Sequence, residues 1–264
     1  MHLYRNYLSL VIFVFLAAGC RHHSNADASD GSGQASVPTT KMPITSIRGT
    51  WSGLFKPTQD DEMELDKASG SFEPVPMHTI TFFIDKMNDG KLSGHSICAG
   101  LDRPFSGVYT EDDSLIKARL NEPSGDKHGG TFVLEINKNQ FLLVGSWEPF
   151  DHHLGYRNYT LTRKNFSYDP SAGIHPEASL RLLKEDDLNN LQKEELRQMR
   201  NEIYARHGYA FKVREVQHFF DGQPWYMPIS LDVRKSLTSI EKSNEIAIKS
   251  YEKYANETED DYGR

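Results

Sequence analysis

The sequence has few cysteines, only one short apolar run and no excess of positive charge, and each shortage excludes a class of protein. Two cysteines in 264 residues rule out a fold that is held together by several disulfide bonds. Lys and Arg number 30 against 37 Asp and Glu, so a nucleic-acid partner, which needs a basic surface, is not expected. Neither an H-E-x-x-H motif nor paired C-x-x-C motifs occur, and we therefore predict no metal site and no cofactor.

The chain begins with its one strongly apolar run, Leu8–Ala18, which follows Arg5 and is too short to span a bilayer comfortably. The run ends in Leu16-Ala17-Ala18-Gly19-Cys20, which resembles the lipobox of bacterial lipoproteins, where a signal is cleaved before a cysteine that becomes acylated. The resemblance implies a signal peptide at residues 1–19 and attachment of lipid, such as palmitate, at Cys20. It further implies a cell-envelope protein anchored to a membrane, with its folded part in the periplasm or at the cell surface. An ordinary secretory signal followed by an unrelated cysteine is the alternative.

The residues after Cys20 offer almost nothing to bury as far as position 44. Ser, Asp, Ala, Gly, Pro and Thr are frequent there. This composition predicts that residues 20–44 form a flexible tether between the lipid and a folded body. If Cys20 is acylated, Cys98 has no partner within the chain, and we expect it to be a buried, inert thiol.

From Ile47 onward the hydrophobic residues alternate with polar ones, as in half-buried strands. Eight such segments follow one another: Ile47–Phe55, His78–Ile84, Lys91–Ile97, Phe105–Tyr109, Ser114–Leu120, Thr131–Ile136, Gln140–Ser146 and Tyr156–Thr162. No helical pattern separates them, so we predict an antiparallel meander at residues 45–166 that closes into a small barrel or a sandwich. The G-x-W at Gly49–Trp51 is similar to the first strand of lipocalin-type barrels, although Trp51 is better interpreted as a core residue.

After a predicted linker at residues 167–178, the hydrophobic period becomes helical, which makes the whole chain α+β. Leu196, Met199, Ile203 and His207 recur at steps of three and four and predict one face of a central helix that ends at Gly208. A final helix is predicted from Ile240 to Tyr254, with a capping box in Thr238–Glu241. The acidic tail at residues 255–264 is expected to be disordered.

The central helix carries a specific motif, since Arg200–Gly208 reads R-N-E-I-Y-A-R-H-G. It resembles the defining motif of the YARHG domain, and the likeness extends over residues 179–254. Further matching positions are K-E-E-L-R at Lys193–Arg197, Phe211, Phe219–Phe220, W-Y-x-P at Trp225–Pro228 and I-E-K-x-N at Ile240–Asn244. The resemblance implies a small all-α domain of bacterial envelope proteins and assigns no activity.

Six residues of the motif are candidate binding or structural residues: Arg200, Asn201, Tyr204, Arg206, His207 and Gly208. We interpret the polar ones as an internal brace, because buried polar groups need partners and such networks fix a unique core. Arg206 is placed to form an i,i+4 pair with Glu202 on the face opposite the apolar one, and His207 is expected to bond a nearby carbonyl. Trp225 and Tyr226 are candidate recognition residues, with core packing as the equal alternative.

Three hypotheses about function follow. The first is a non-enzymatic, membrane-anchored envelope lipoprotein that binds a protein or a glycan. The second is a carrier that holds a small apolar ligand inside the barrel, which requires a large inward cavity. The third is a cell-wall hydrolase, which requires His207 and an acidic residue to open onto a shared cleft. We assign no catalytic residue, because spacing identifies no nucleophile or second acid within reach of the motif.

Overall fold

Ten strands lie in the described part of the chain, and eight of them form a closed antiparallel barrel between Gly49 and Arg163. The computed structural model describes residues 46–58, 63–65, 72–125 and 128–261, so the predicted signal segment, Cys20 and the whole predicted tether lie outside the described residues. The strands are β1 Gly49–Pro57, β2 Met63–Leu65, β3 Phe72–Pro74, β4 His78–Asn88, β5 Lys91–Cys98, β6 Leu101–Glu111, β7 Leu115–Asn121, β8 Gly130–Asn137, β9 Leu142–Pro149 and β10 Arg157–Arg163. All eight predicted segments are confirmed, and of the two architectures left open the barrel is the one observed.

The barrel follows the order of the chain, because each strand from β4 to β10 pairs with the next and β1 closes the ring. β1 pairs with β10 on one side and with β4 on the other. The short strands β2 and β3 pair only with each other, in the connection between β1 and β4. The turn between β4 and β5 uses positive φ at Asp89 and Gly90, the backbone that a tight hairpin needs.

Interlocking aromatic rings fill the centre of the barrel. The Phe82 ring lies 4.8–5.6 Å from the rings of its neighbours Phe105, Phe132 and Tyr159, measured between centroids. Trp51 is fully buried, and its indole nitrogen donates to the Ile47 carbonyl at 2.9 Å. These side chains occupy the centre of the barrel, where the carrier hypothesis requires a large inward cavity.

Four helices follow the barrel: α1 Glu177–Leu180, α2 Lys193–Arg206, α3 Arg214–Asp221 and α4 Ser239–Asp261. The predicted face of α2 is buried, with Leu196, Met199 and Ile203 each exposing 1 % or less of their surface, and α2 packs against α4. Helix α4 continues as far as Asp261, so the first part of the predicted acidic tail is helical rather than disordered.

The segment predicted as a linker, residues 167–178, packs against the helices. The backbone amides of Ile174 and His175 donate to the Glu202 carboxylate on α2 at 3.1 and 2.8 Å. The Tyr168 ring stacks on His207. This segment is therefore part of the helical domain, and its glycine and proline residues shape a path across α2 rather than a free connection.

The helical domain also contacts the barrel, through the last residue of α3. The Asp221 carboxylate lies 2.8 Å from Nδ1 of His78 and accepts a hydrogen bond from the Thr79 amide at 3.0 Å. The Asp221 carbonyl accepts a further hydrogen bond from the Thr79 hydroxyl at 3.2 Å. Both His78 and Thr79 belong to the beginning of β4, so α3 is fixed to one end of the barrel.

No helix in the described ranges is both long enough and apolar enough to cross a membrane. Within the parts of the chain that the structure describes, no group of three or more His, Cys, Asp or Glu side chains is placed to hold a metal ion.

Candidate functional site

The motif on α2 has two faces with different environments. Glu202, Arg206 and His207 point into the helical domain and are almost completely buried. Arg200 and Tyr204 are half-buried and line an open groove on the other side of the helix. The inward face is described first, because its contacts determine how the groove is held in place.

Glu202 and Arg206 form a charge pair inside the domain. Nη2 of Arg206 donates to the Glu202 carboxylate at 2.8 Å, and neither side chain has any solvent exposure. The predicted i,i+4 pair is present, but it is buried by the 168–178 segment instead of lying on the surface. Arg206 also donates to the Ala172 carbonyl at 2.7 Å and to the His175 carbonyl at 2.8 Å, so its charge is shared among several acceptors.

Glu241, in the first turn of α4, is the second buried acid of this network. Its carboxylate accepts hydrogen bonds from the Ser179 hydroxyl at 2.7 Å and from the Tyr168 hydroxyl at 3.0 Å. Nε2 of His207 lies 2.7 Å from the same carboxylate. The predicted contact of His207 with a carbonyl is therefore wrong: the acceptor is a carboxylate, which offers the imidazole a stronger, charge-assisted bond.

A single hydroxyl joins the two acids. The Ser179 hydroxyl accepts from Nη1 of Arg206 at 3.0 Å and donates to Glu241. Because Ser179 lies on α1, Arg206 on α2 and Glu241 on α4, this connection fixes three helices at one point. We call the five residues Glu202, Arg206, Ser179, Glu241 and His207 the internal network.

Two pKa shifts show how strongly the network favours an ionised Glu241. Burial by itself raises the pKa of this carboxyl, but the hydrogen bonds, that of His207 foremost, outweigh burial and hold the pKa at about 2. For Tyr168, burial together with the negative charge of Glu241 raises the pKa to about 12. The acid is therefore an anion and the phenol a neutral donor at physiological pH.

Gly208 ends the motif in a conformation and a space that only glycine fits. Its φ is +75°, and a Cβ at this position would lie 2.4 Å from a side-chain carbon of Ile229 and 2.9 Å from the Met227 carbonyl. The Gly208 carbonyl in turn accepts a hydrogen bond from the Ile229 amide at 2.7 Å. The predicted helix end thus also connects α2 to the segment that precedes α4.

The outward face of α2 lines a groove with a volume of about 400 Å³. We define the α2 groove by its lining residues: Arg200, Asn201, Tyr204, Tyr209, Phe211, Leu231, Asp232, Val233 and Arg234. Arg200 donates to Glu252 of α4 at 3.1 Å, so this side chain ties α2 to α4, in agreement with the interpretation of the polar motif residues as an internal brace. The Tyr204 hydroxyl donates to Glu245 of the same helix. The groove therefore presents aromatic rings together with guanidinium and carboxylate groups.

Asn201 does not take part in the internal brace that was predicted for the polar residues of the motif. Its side chain is 9 % exposed and lies in the wall of the α2 groove. Over the described ranges of the chain, the side-chain amide of Asn201 makes no hydrogen bond to another residue. A buried amide without a partner is rare in folded proteins, and leaving it unsatisfied costs about 1–3 kcal/mol. This residue is thus the polar group of the motif that remains available to a ligand.

The two aromatic recognition candidates mainly serve the core. Tyr226 is 4 % exposed, and its hydroxyl donates to the Tyr209 carbonyl at 2.7 Å. Trp225 is half-buried and packs edge-on against Phe220, with 6.0 Å between ring centroids. Neither residue lines the α2 groove, so packing is the role that their contacts show.

Sequence reasoning missed Tyr168, Ser179 and Glu241 as members of the site. Glu241 had one signal, the capping box, which the structure confirms: Glu241 and Thr238 exchange hydrogen bonds at 2.8 and 3.1 Å. That signal explains a single bond to Glu241 and gives no indication of His207, which lies 34 positions earlier in the chain.

Comparison with known families and structures concerns the helical part of the chain. No curated protein and no solved structure gives a significant match. The family model of the YARHG domain matches residues 172–253. The matched range begins within the segment predicted as a linker and includes all five residues of the internal network. Residues 172–253, with α1 to α3 and most of α4, are therefore a YARHG domain.

Proposed function

We propose that the protein is a binding module of the bacterial cell envelope, anchored to a membrane through lipid on Cys20, and that its partner occupies the α2 groove. The partner is a protein or a glycan of the envelope. One observation carries this proposal: the buried amide of Asn201, which has no hydrogen-bond partner among the described residues, lies in the wall of an open groove. Tyrosine rings and arginine side chains around it supply the stacking surface and hydrogen-bond donors common in recognition sites.

The internal network supports binding rather than catalysis. His207 and Glu241 are 6 % and 0 % exposed as side chains, so this pair does not open onto the shared cleft that a hydrolase requires. Their polar atoms are bonded within the domain, which makes them a rigid support for the outward face of α2. The aromatic side chains that fill the centre of the barrel likewise count against a carrier of a small apolar ligand, which would require a large inward cavity there.

Binding is tested with the full chain in which Cys20→Ser removes the lipid attachment. One arm measures co-sedimentation with purified peptidoglycan sacculi, and the other places a photo-crosslinking residue at Leu231 and looks for a specific adduct in cells. We expect one arm to be positive and to be lost in Asn201→Leu. The matched control is Asn190→Leu, an exposed asparagine of the same domain. Equal binding by Asn201→Leu and the unchanged chain, or no binding in either arm, would reject the groove as the site.

The anchor is tested separately. Cells fed an alkyne analogue of palmitate are expected to label the protein, and the Cys20→Ser variant is expected to lose the label and leave the membrane fraction. Labelling that persists in Cys20→Ser would contradict lipid attachment at this position and leave the binding proposal untouched.

A further inference from the structure

Asn201 lies between the α2 groove and a second, smaller space on the same helix. This space has a volume of about 160 Å³ and lies between α2 and α3, with Glu194, Arg197, Gln198 and Val216 among its lining residues. We call it the α3 hollow. Asn201 lines both spaces, so its buried side chain belongs to both walls.

A second side-chain amide without a partner accompanies Asn201. Gln198 is half-buried in the wall of the α3 hollow, and within the described ranges its side chain makes no hydrogen bond to another residue. Gln198 and Asn201 are three positions apart on α2, so they are neighbours on one helix face, with about 5–6 Å between their Cβ atoms. Each amide carries a carbonyl oxygen and an NH₂ group, so the pair offers donors and acceptors in a short row.

An extended polypeptide presents the complementary pattern. The N–H and C=O groups of one residue point to the same side of a strand, where they match the acceptor and donor of one side-chain amide. The next residue that faces this side follows about 6.6 Å further on, at roughly 3.3 Å per residue. This repeat is close to the spacing of Gln198 and Asn201, so the two amides can pair with alternate residues of one extended segment.

The length and the volumes of the two spaces fit a short segment. Their lining residues on α2 run from Glu194 to Tyr204, which is roughly 15 Å along the helix at about 1.5 Å per residue. Roughly five residues of extended chain cover this distance. The α2 groove, at about 400 Å³, is the larger of the two spaces and takes the bulkier side chain of such a segment.

The aromatic rings of the α2 groove are arranged for an apolar side chain rather than for a sugar ring. Tyr204 and Tyr209 are half-buried and Phe211 is buried. The rings of Tyr209 and Phe211 meet edge to face with 5.0 Å between centroids, and Tyr204 lies tilted against Tyr209 at 5.9 Å. Rings that pack on one another in this way form a pocket, whereas a sugar needs a flat ring face that is open to solvent.

We propose that the occupant of the α2 groove is an extended peptide segment of a partner protein, and that Gln198 and Asn201 bind its backbone. The segment crosses Asn201, with a bulky apolar side chain in the α2 groove and a small one in the α3 hollow. This inference rests on the proposed function, since it names the class of partner for the same groove.

The first experiment selects random decapeptides displayed on phage against the full chain with Cys20→Ser. We expect a family of related peptides to be enriched, and the same selection on Asn201→Leu to lose it. A selected peptide is then synthesised with each backbone amide in turn replaced by an ester, which removes one N–H and keeps every side chain. Esters at two positions, two residues apart, are each expected to weaken binding about fivefold, as the loss of one hydrogen bond does.

NMR of the side-chain NH₂ resonances locates the peptide on the protein. The selected peptide is expected to shift the resonances of Asn201 and Gln198, and chitotetraose, a glycan probe that contains no peptide, is expected to leave both unchanged. Gln198→Met keeps the length of the side chain without its amide, and we expect it to bind the peptide about fivefold more weakly. Asn190→Leu, at an exposed position of the same domain, is expected to bind as the unchanged chain does.

The possible failures separate this inference from the proposed function. A peptide whose binding no single ester weakens, or a selection that yields no peptide dependent on Asn201, would overturn the inference. If chitotetraose alone shifts the Asn201 resonance, the peptide is rejected and the α2 groove stands as a glycan site. If neither probe shifts it, the groove is rejected as well.

Discussion

His207 and Glu241 meet at 2.7 Å inside the helical domain, although 34 positions separate them in the chain. The imidazole is also stacked on Tyr168, whose hydroxyl donates to the same carboxylate, with 4.4 Å between the ring centroids. The Glu241 carboxylate therefore holds the imidazole in two ways: directly, through its contact with Nε2, and indirectly, by positioning the Tyr168 ring that stacks on the imidazole. This arrangement leaves His207 no rotation that would present it to solvent without breaking the internal network.

The first prediction concerns acid stability. The pKa of Glu241 is lowered in the folded protein from its ordinary value of 4.5 to about 2, so its stabilisation is complete above 4.5 and lost as the pH falls through 2. The linked contribution is about 3 kcal/mol at neutral pH. We expect Glu241→Gln to be less stable than the unchanged chain at neutral pH and the difference to shrink on acidification.

Urea denaturation at a series of pH values measures this difference directly. The control is Glu185→Gln, which alters an exposed carboxylate of the same domain. It is expected to have little effect on how the free energy of unfolding changes with pH. A constant difference between Glu241→Gln and the unchanged chain at every pH would disprove the linkage.

The second prediction concerns the buried charge pair. Replacing Arg206 by Met leaves Glu202 inside the domain with no cation, and breaking a buried pair in this way costs about 3–5 kcal/mol. Arg197→Met removes a partly exposed arginine from the same helix and is expected to cost less than about 1 kcal/mol. Thermal unfolding followed by circular dichroism measures the loss of stability in each variant. Comparable losses in Arg206→Met and Arg197→Met would show that burial gives the Glu202–Arg206 pair no added importance for stability.

The third prediction concerns the glycine that ends the motif. Gly208→Ala combines a positive φ with contacts shorter than van der Waals distance, whereas Gly125→Ala at φ +103° meets no atom within 4 Å. The left-handed backbone alone costs about 1–2 kcal/mol for a residue with a Cβ. We expect Gly125→Ala to lose about that much and Gly208→Ala to lose clearly more. Chemical denaturation of both variants gives the comparison, and equal losses would argue against the crowding around Gly208.

The fourth prediction concerns Asn201 in the absence of a partner. Leucine has a similar size and removes the unsatisfied amide, so Asn201→Leu is expected to raise the free energy of unfolding by about 1 kcal/mol. If Asn201 instead stabilised the fold, the Asn201→Leu variant would have a lower free energy of unfolding than the unchanged chain. The measurement is the urea midpoint of the variant against that of the unchanged chain, and a lower midpoint would assign Asn201 a structural role.

Much of the barrel was predictable because its information is local. In β7 the residues Ile116, Ala118 and Leu120 are buried while their neighbours are more exposed, and this alternation can be read directly from the sequence. Closure was not predictable, because it depends on the pairing of β1 with β10, whose register joins Trp51 to Arg163. No local pattern distinguishes that pairing from an open sandwich.

The candidate site shows the same division between local and distant contacts. The spacing of Glu202 and Arg206 predicted their pair, but only the path of residues 168–178 over α2 makes that pair buried. The partner of His207 was not predictable, because the domain contains several acidic residues and the sequence alone does not indicate which of them contacts the imidazole. The contact of Asp221 with β4 had no sequence signal at all, since it joins two parts of the chain more than 140 positions apart.

The closure of the barrel has a consequence for copies of the protein that share a surface. An open sheet presents unpaired amides and carbonyls along its outer strands, and neighbouring molecules can add strands there. In this ring every one of the eight strands already has a partner on both sides. Crowding on a membrane, as the proposed anchor would impose, therefore offers these strands no free edge for self-association.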